Sequence, residues 1–275
     1  MISDGILAAF DRAAARVSEV AARIDGPRLT GARDGPYGFG GAGGGVAREV
    51  LLEAGFGGVS EESGFHGAQR DLVVVLDPID GSSNAARGLP WYSTSMCALD
   101  GDGMAAALVQ NLVNGRSYRA VRGRGATVDG RPLGSGAGEG FSPGSGPSSQ
   151  QALADAVVGL TDLPPRRLGW RQYRVLGSIA LDLCAVAEGM TDAYIDCTPG
   201  GHATWDYLGA ALVCAEAGAA LEDAWGRPLV PGDLTEQRNP VAAATPPLLA
   251  EAIAQRRSFG AEPAGIGTGA AASAV

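Results

Sequence analysis

The residues best suited to chemistry stand in one short run. Asp77 and Asp80 belong to DPIDGSSN (77–84), with Pro78 between them and Gly81 directly after. They leave the end of DLVVVL (71–76), a β-branched apolar run of the buried-strand type. Pro78 fixes one φ angle and Gly81 permits a tight turn, so both carboxylates can face one point. Glu61 and Glu62 lie 16 and 15 residues before Asp77, after a short apolar approach from Phe56 to Val59. A further acid, Asp206, opens an apolar helix that begins at Trp205. Clustered hard oxygen donors with no His or Cys among them suit Mg²⁺, which takes carboxylates, waters and substrate phosphate.

Other chemistries fit less well. As a calcium loop, DPIDGSSN has its second Asp at position 4 and Gly88 at position 12, where a Glu is needed. A dehalogenase-type nucleophile motif spaces its acids two apart and needs a lysine. All 21 basic residues here are Arg, which also excludes a Walker lysine and a Schiff-base lysine. Gly140-Phe141-Ser142-Pro143-Gly144 matches GxSxG but lies in a Gly/Ser/Pro loop, without the strand and helix that a nucleophile elbow requires. GFGGAGGG (38–45) looks like a phosphate loop but lacks the GK[ST] ending and a preceding strand. A mobile loop over 25–45 is expected instead, because Gly is entropically costly to order.

The elements that must carry these residues follow from periodicity. Ile6, Leu7, Phe10, Ala14, Val17 and Ala21 recur at helical spacing. A second helix is expected over Val46–Ala54. Strands are expected at 71–76, Ser93–Leu99, Met104–Leu112, Ser117–Val121, Ala156–Leu160, Asp192–Asp196 and Val241–Ala244, with a hairpin at Gly101-Asp102-Gly103. Helices are expected at Ser178–Glu188, Trp205–Ala217 and Pro246–Arg257. Residues 134–150 read as an exposed flexible loop between two halves, about 1–133 and 151–257, of one compact domain. Residues 258–275 read as a disordered tail.

Composition bounds the partners. The net charge of −9 argues against nucleic-acid binding, which needs a basic face to displace counterions. No apolar run reaches the ~18–20 residues that span a bilayer, and no basic leader precedes the first helix, so a cytoplasmic protein is expected. Cys97, Cys184, Cys197 and Cys214 form no CxxC pair and read as buried thiols. His66 and His202, far apart in sequence, read as surface or loop histidines.

Two separated signatures point to a family. DPIDGSSN closely resembles the DP(I/L)DGTxN motif of the inositol monophosphatase superfamily, and WDYLGAALVCAEAGA (205–219) resembles its WDxAAxxxxxxEAGG pattern. Glu61-Glu62-Ser63 looks like its GEES, with Ser60 in place of Gly. The stretches 116–133 and 177–196 are similar to family blocks, so the resemblance runs from about Val59 to Pro231.

The resemblance implies an α/β fold, the layered αβαβα sandwich of the sugar phosphatases, and a Mg²⁺-dependent phosphomonoesterase acting on a small phosphorylated metabolite. It implies that Glu61, Asp77 and the Ile79 carbonyl hold one Mg²⁺, and that Asp77, Asp80 and Asp206 hold a second. Ser82, where the family usually has Thr, would orient the attacking water with Glu61 as partner. Gly81, Ser82 and Ser83 would open a helix whose N–H groups meet the phosphate. On the substrate side, Asp80 and Asp206 are joined by Ser178, which could bond a hydroxyl or cap its helix. Asp196 stands where the family places an acid on a polyol hydroxyl, although its spacing to Asp206 is longer here. Arg174 and Arg171 could meet a second anionic group or face solvent.

The family's Thr-x-x-Asp stretch is missing: Gly43 falls about where its Asp would be, and no carboxylate lies between Asp34 and Glu49. A third Mg²⁺ is therefore expected to be weak or absent, and the 36–45 loop to lie disordered or far from the metals without substrate. The resemblance also implies a homodimer. Besides the phosphatase, a catalytically impaired relative that binds a phosphorylated ligand or partner fits the same motifs.

Overall fold

The computed structural model describes residues 2–23, 38–60, 64–66, 72–134 and 145–260. Helices α1 (Ile2–Ala21) and α2 (Gly38–Glu53) precede strands β1 (Gly57–Ser60), β2 (Gly64–His66) and β3 (Val73–Asp80), then a short helix α3 (Ser82–Arg87). Strands β4 (Ser93–Asp100), β5 (Gly103–Asn111), β6 (Ser117–Val121), β7 (Gly125–Val128) and β8 (Arg131–Leu133) follow. The second half comprises β9 (Val157–Thr161), β10 (Gln172–Arg174), α4 (Ile179–Glu188), β11 (Ala193–Asp196), α5 (Thr204–Ala217), β12 (Ala220–Asp223), β13 (Pro240–Ala243) and α6 (Pro246–Arg257).

The strands form two sheets. The larger has the order β2-β1-β3-β4-β5-β6-β7-β8, antiparallel except where β1 runs beside β3. The smaller has the order β10-β9-β11-β13-β12, with β10, β9 and β11 parallel and β13 and β12 antiparallel. Period-two alternation divides their faces between helical layers. On β3, Val74 and Leu76 pack with Phe10, Val17 and Leu51 of α1 and α2, whereas Val75 points into the cluster that holds α4 and α5. On the smaller sheet, Val158, Leu160, Ile195 and Val241 pack against Leu248, Leu249 and Ile253 of α6. Every residue of α4 is buried, as a helix sandwiched between two sheets must be. The layers therefore run αβαβα, as expected.

Several expectations need correction. Residues 38–45 are not a loop: they form the first two turns of α2, despite a cost of ~1 kcal/mol per Gly relative to Ala. Packing offsets it: Ala47 and Leu51 are buried against α1, and Gly43 brings the α2 backbone against Pro78 and Ile79. Ser258 and Phe259 belong to a turn that closes α6, with Ser258 Oγ donating to the Gln255 carbonyl and Phe259 under the Arg256 guanidinium. The strands β1, β2, β7, β8, β10 and β12 were not expected; all have three or four residues and most are rich in Gly, Arg or Gln rather than in β-branched residues. The 140–144 serine motif, residues 25–37 and 261–275 lie outside the described residues. Among the described residues, no helix is long and apolar enough to cross a membrane, and all four cysteines are free and buried.

Candidate active site

Asp77 and Asp80 reach one face through a fault in the sheet. In a regular strand, residues three apart point to opposite faces. Here Asp77 pairs with Ser95 and Asp80 with Ser93, so β3 carries one residue more than β4 between those pairs. Pro78 has no N–H to give the ladder, so the bulge falls there. Ser93 and Ser95 are two apart and share a face, and the bulge puts both acids on it. Both are buried.

Gly81 then turns the chain at φ +86°, and α3 starts at Ser82. A Cβ on Gly81 would lie 3.0 Å from the Gly177 carbonyl oxygen and 3.1 Å from that of Trp91, so no other residue fits. Asn84, the last residue of the motif, donates through Nδ2 to the carbonyls of Trp91 and Leu176, both at 2.7 Å. It staples the turn to the second half of the chain. Trp91 adds a bond from Nε1 to Asp182 Oδ1 at 2.8 Å.

The second half answers with two helix starts. Asp80 Oδ2 accepts from Ala180 N at 2.8 Å and Ser178 Oγ at 2.5 Å. It thus caps α4, whose own N-cap residue makes no side-chain cap bond. Ser178 is fully buried and its hydroxyl is spent on Asp80 and Ser93. Of the two roles expected for it, neither helix capping nor a hydroxyl open to substrate is what the structure shows: it orients Asp80. Asp206 lies on the first turn of α5 and accepts from Ala203 N through Oδ2 at 3.0 Å. One turn on, Gly209 lets α5 settle on β4, where a Cβ would come within 2.6 Å of Ser95 Oγ. Because Ser95 pairs with Asp77, this contact brings the start of α5 to the acidic end of β3.

Each acid has at least one oxygen tethered, Asp77 by the Ile79 N–H at 2.9 Å and the other two as above. Burial first, and then the charge of Asp206, push the Asp80 carboxyl up to about 6, against the donors Ser178 and Ala180 that favour its charged form. A buried carboxylate beside a like charge is one that gains most from a cation, so this donor set fits a hard metal ion. Among the described residues, no three His, Cys, Asp or Glu side chains gather tightly enough to hold an ion alone. Glu61, the remaining expected ligand, lies outside the described residues, as do Glu62 and Asp34.

Two substrate-side expectations change. Asp196 is fully buried, with Oδ1 accepting from Thr198 N and Oγ1 and Oδ2 accepting from Asn239 Nδ2. The longer turn after it folds the acid inward, so it builds the fold rather than facing a polyol. Arg174 is exposed on the edge strand β10 and bonds its neighbours Tyr173 and Gln172. Ser83 is exposed and Ser82 half-buried at the α3 start.

His202 is a further correction. Its side chain is only 18% exposed, with Nδ1 3.4 Å from Asp206 Oδ2 and Nε2 3.5 Å from Asp196 Oδ1. Burial opposes its charge, but the two carboxylates outweigh burial and raise it to about 10. Its spacing of four before Asp206 was the available signal. Asp182, which accepts from Trp91 Nε1, is the one acid within the apolar run Ile179–Ala187, and that isolation is its signal in the sequence.

The layered αβαβα fold brings the starts of α3, α4 and α5 to the acidic end of β3, an arrangement of the α/β class. The comparison with known proteins narrows it. The Inositol monophosphatase family profile matches residues 50–261, and the chain belongs to that family. It is 30% identical over 204 residues to the fructose-1,6-bisphosphatase/inositol-1-monophosphatase of Archaeoglobus fulgidus, covering 72% of this chain and 75% of that one. It is 32% identical over 204 residues to a putative Nus factor SuhB of Neisseria meningitidis, covering 70% and 72%. Among solved structures, the extragenic suppressor protein suhB of Bartonella henselae superposes with a TM-score of 0.74 at 21% identity, covering 92% of this chain and 98% of that one. The chain is a phosphatase of this family.

Proposed function

We propose that the chain hydrolyses the phosphate monoester of a small polyol, sugar or nucleoside, with two Mg²⁺ held by Asp77, Asp80, Asp206, the Ile79 carbonyl and Glu61. The observation that carries this is the bulge at Pro78, which turns two buried carboxylates to one face opposite Asp206. Bound there, the cations would supply a hydroxide near neutral pH and charge to steady the leaving oxygen. The chain's own part is positioning. The opening N–H groups of α3, at Gly81, Ser82 and Ser83, have no partner within the helix and suit phosphate oxygens. The Ser82 hydroxyl accepts from the attacking water and sets its line of approach. Ser178 and the Ala180 N–H keep Asp80 ionised and fixed. No covalent nucleophile is needed, because phosphoryl transfer gains chiefly from orientation and charge.

The absence of a carboxylate at Gly43 favours one second reading, an impaired relative that binds a phosphorylated ligand or partner. One assay separates the two: phosphate release with and without Mg²⁺ from inositol phosphates, fructose bisphosphate, histidinol phosphate and nucleotide phosphates. Release that requires Mg²⁺ and stops with chelator supports hydrolysis. Binding of these esters with no turnover on any supports the second reading.

A further inference from the structure

The turn between Asp196 and Asp206 is anchored at both ends. Gly201, at φ +85°, passes so close to the Arg238 carbonyl that no side chain fits there. His202 N donates to Arg238 O at 2.7 Å, and Arg238 N donates back to His202 O at 2.8 Å. Asp196 is held still from every side: Thr198 and Asn239 donate to its carboxylate, and Arg256 Nε donates to its carbonyl at 2.6 Å. The imidazole spans from this fixed acid to Asp206, within 3.5 Å of each. Asp206 is 19% exposed, and among the described residues Ala203 N donates to its Oδ2 while the imidazole lies against the same oxygen as an ion-pair contact, not a hydrogen bond.

We propose that His202 is a positioning residue for the metal site, a charged strut that holds the Asp206 carboxylate, through Oδ2, against the rigid Asp196 framework. Remove the strut and, among the described residues, the Asp206 carboxylate keeps the hydrogen bond from Ala203 N on the first turn of α5. Partners of this kind are worth about 10–100-fold in metal affinity. The inference rests on Asp206 being a ligand, as proposed above.

The test is titration calorimetry of MgCl₂ into the full chain, for the wild type, His202→Ala, His202→Phe, His202→Gln and Asp206→Asn, with unfolding midpoints taken in chelator. His202→Ala and His202→Phe are expected to weaken Mg²⁺ at least about tenfold, and His202→Gln, which keeps a donor, to recover most of that loss. The kcat of His202→Ala should approach the wild-type value at saturating Mg²⁺, a split that a merely structural role would not give. If His202→Ala does not fold, the Phe and Gln variants decide, and equal Mg²⁺ affinity in those two overturns the proposal. If Asp206→Asn loses Mg²⁺ while His202→Ala and His202→Phe bind it within twofold of wild type, the strut is refuted and the ligand assignment stands. If Asp206→Asn binds Mg²⁺ like the wild type, the ligand assignment itself falls.

Discussion

Gly209→Ala tests how α5 sets the site. A Cβ there would lie 2.6 Å from Ser95 Oγ, 3.2 Å from the Met96 carbonyl oxygen and 3.4 Å from Val109 Cγ2. Alanine gains ~1 kcal/mol of helix propensity over glycine, but forcing a methyl into a packed interface costs about 1–3 kcal/mol. The carbonyl belongs to a strand in mid-sheet and cannot move, so α5 must lift. The expected net loss is about 1 kcal/mol, or about 2–4 °C in the unfolding midpoint for a chain of this size. The lift also carries Asp206, one turn earlier, away from Asp77 and Asp80. Misplacement approaching ~1 Å can cost ~10²-fold in rate, so a shift of a few tenths of an ångström should lower kcat/KM about tenfold and raise the Mg²⁺ midpoint. Ser95→Ala removes the nearest atom at little cost, because that buried hydroxyl has no hydrogen-bond partner. The double variant should regain both stability and rate, with a coupling of about 1 kcal/mol. Thermal unfolding and Mg²⁺-dependent phosphate release on all four proteins measure this. Gly209→Ala that is more stable than wild type with an unchanged Mg²⁺ midpoint, or a coupling near zero, would refute the reasoning.

Other outcomes follow from the same geometry. Asp77→Asn should abolish nearly all turnover with the fold intact by circular dichroism; retention of about a tenth of the activity would remove Asp77 from a bridging role. Ser82→Ala should lower kcat far more than it raises KM, since the α3 N–H groups bind phosphate, and Ser82→Thr should be tolerated; a pure KM effect would assign Ser82 to binding. Burial, and then the nearby Asp80 charge, raise the Asp182 carboxyl to about 8, while the bond from Trp91 works the other way. The folded state therefore keeps a proton that the unfolded chain loses near the ordinary carboxyl value, and stability falls as pH rises from about 4 to about 8. Asp182→Asn keeps an acceptor for Trp91 and should lack that part of the fall. Denaturant unfolding without divalent cations, at pH 5 and pH 8, measures it, and an identical pH slope in both proteins would exclude a buried, protonated Asp182.

What the sequence could determine was local. DLVVVL reads as a strand from its own residues, Pro78 announces a break in any ladder it enters, and Gly101-Asp102-Gly103 closes a hairpin because glycine accepts the turn. The strands at 93–100, 103–111 and 117–121 and the helices at 179–188 and 204–217 were legible as sustained apolar runs bounded by turn residues. The family likeness then supplied the layers. What only the tertiary structure decided depends on residues that meet across the chain. Six glycines in 38–45 speak against a helix, yet the surface of α1 and the back of Pro78 offset that cost. Ser178 faces Asp80 from 98 residues away, and nothing in either neighbourhood signals the pairing. Asp196 and His202 exchange their expected settings, the acid buried and the histidine drawn to the site, because the turn between them is pinned by Arg238, Asn239 and Arg256. Propensity and period act within a few residues, so they are written in the chain. Which carboxylate is tethered, and by what, is settled only when the α4 and α5 helix starts are packed between two sheets.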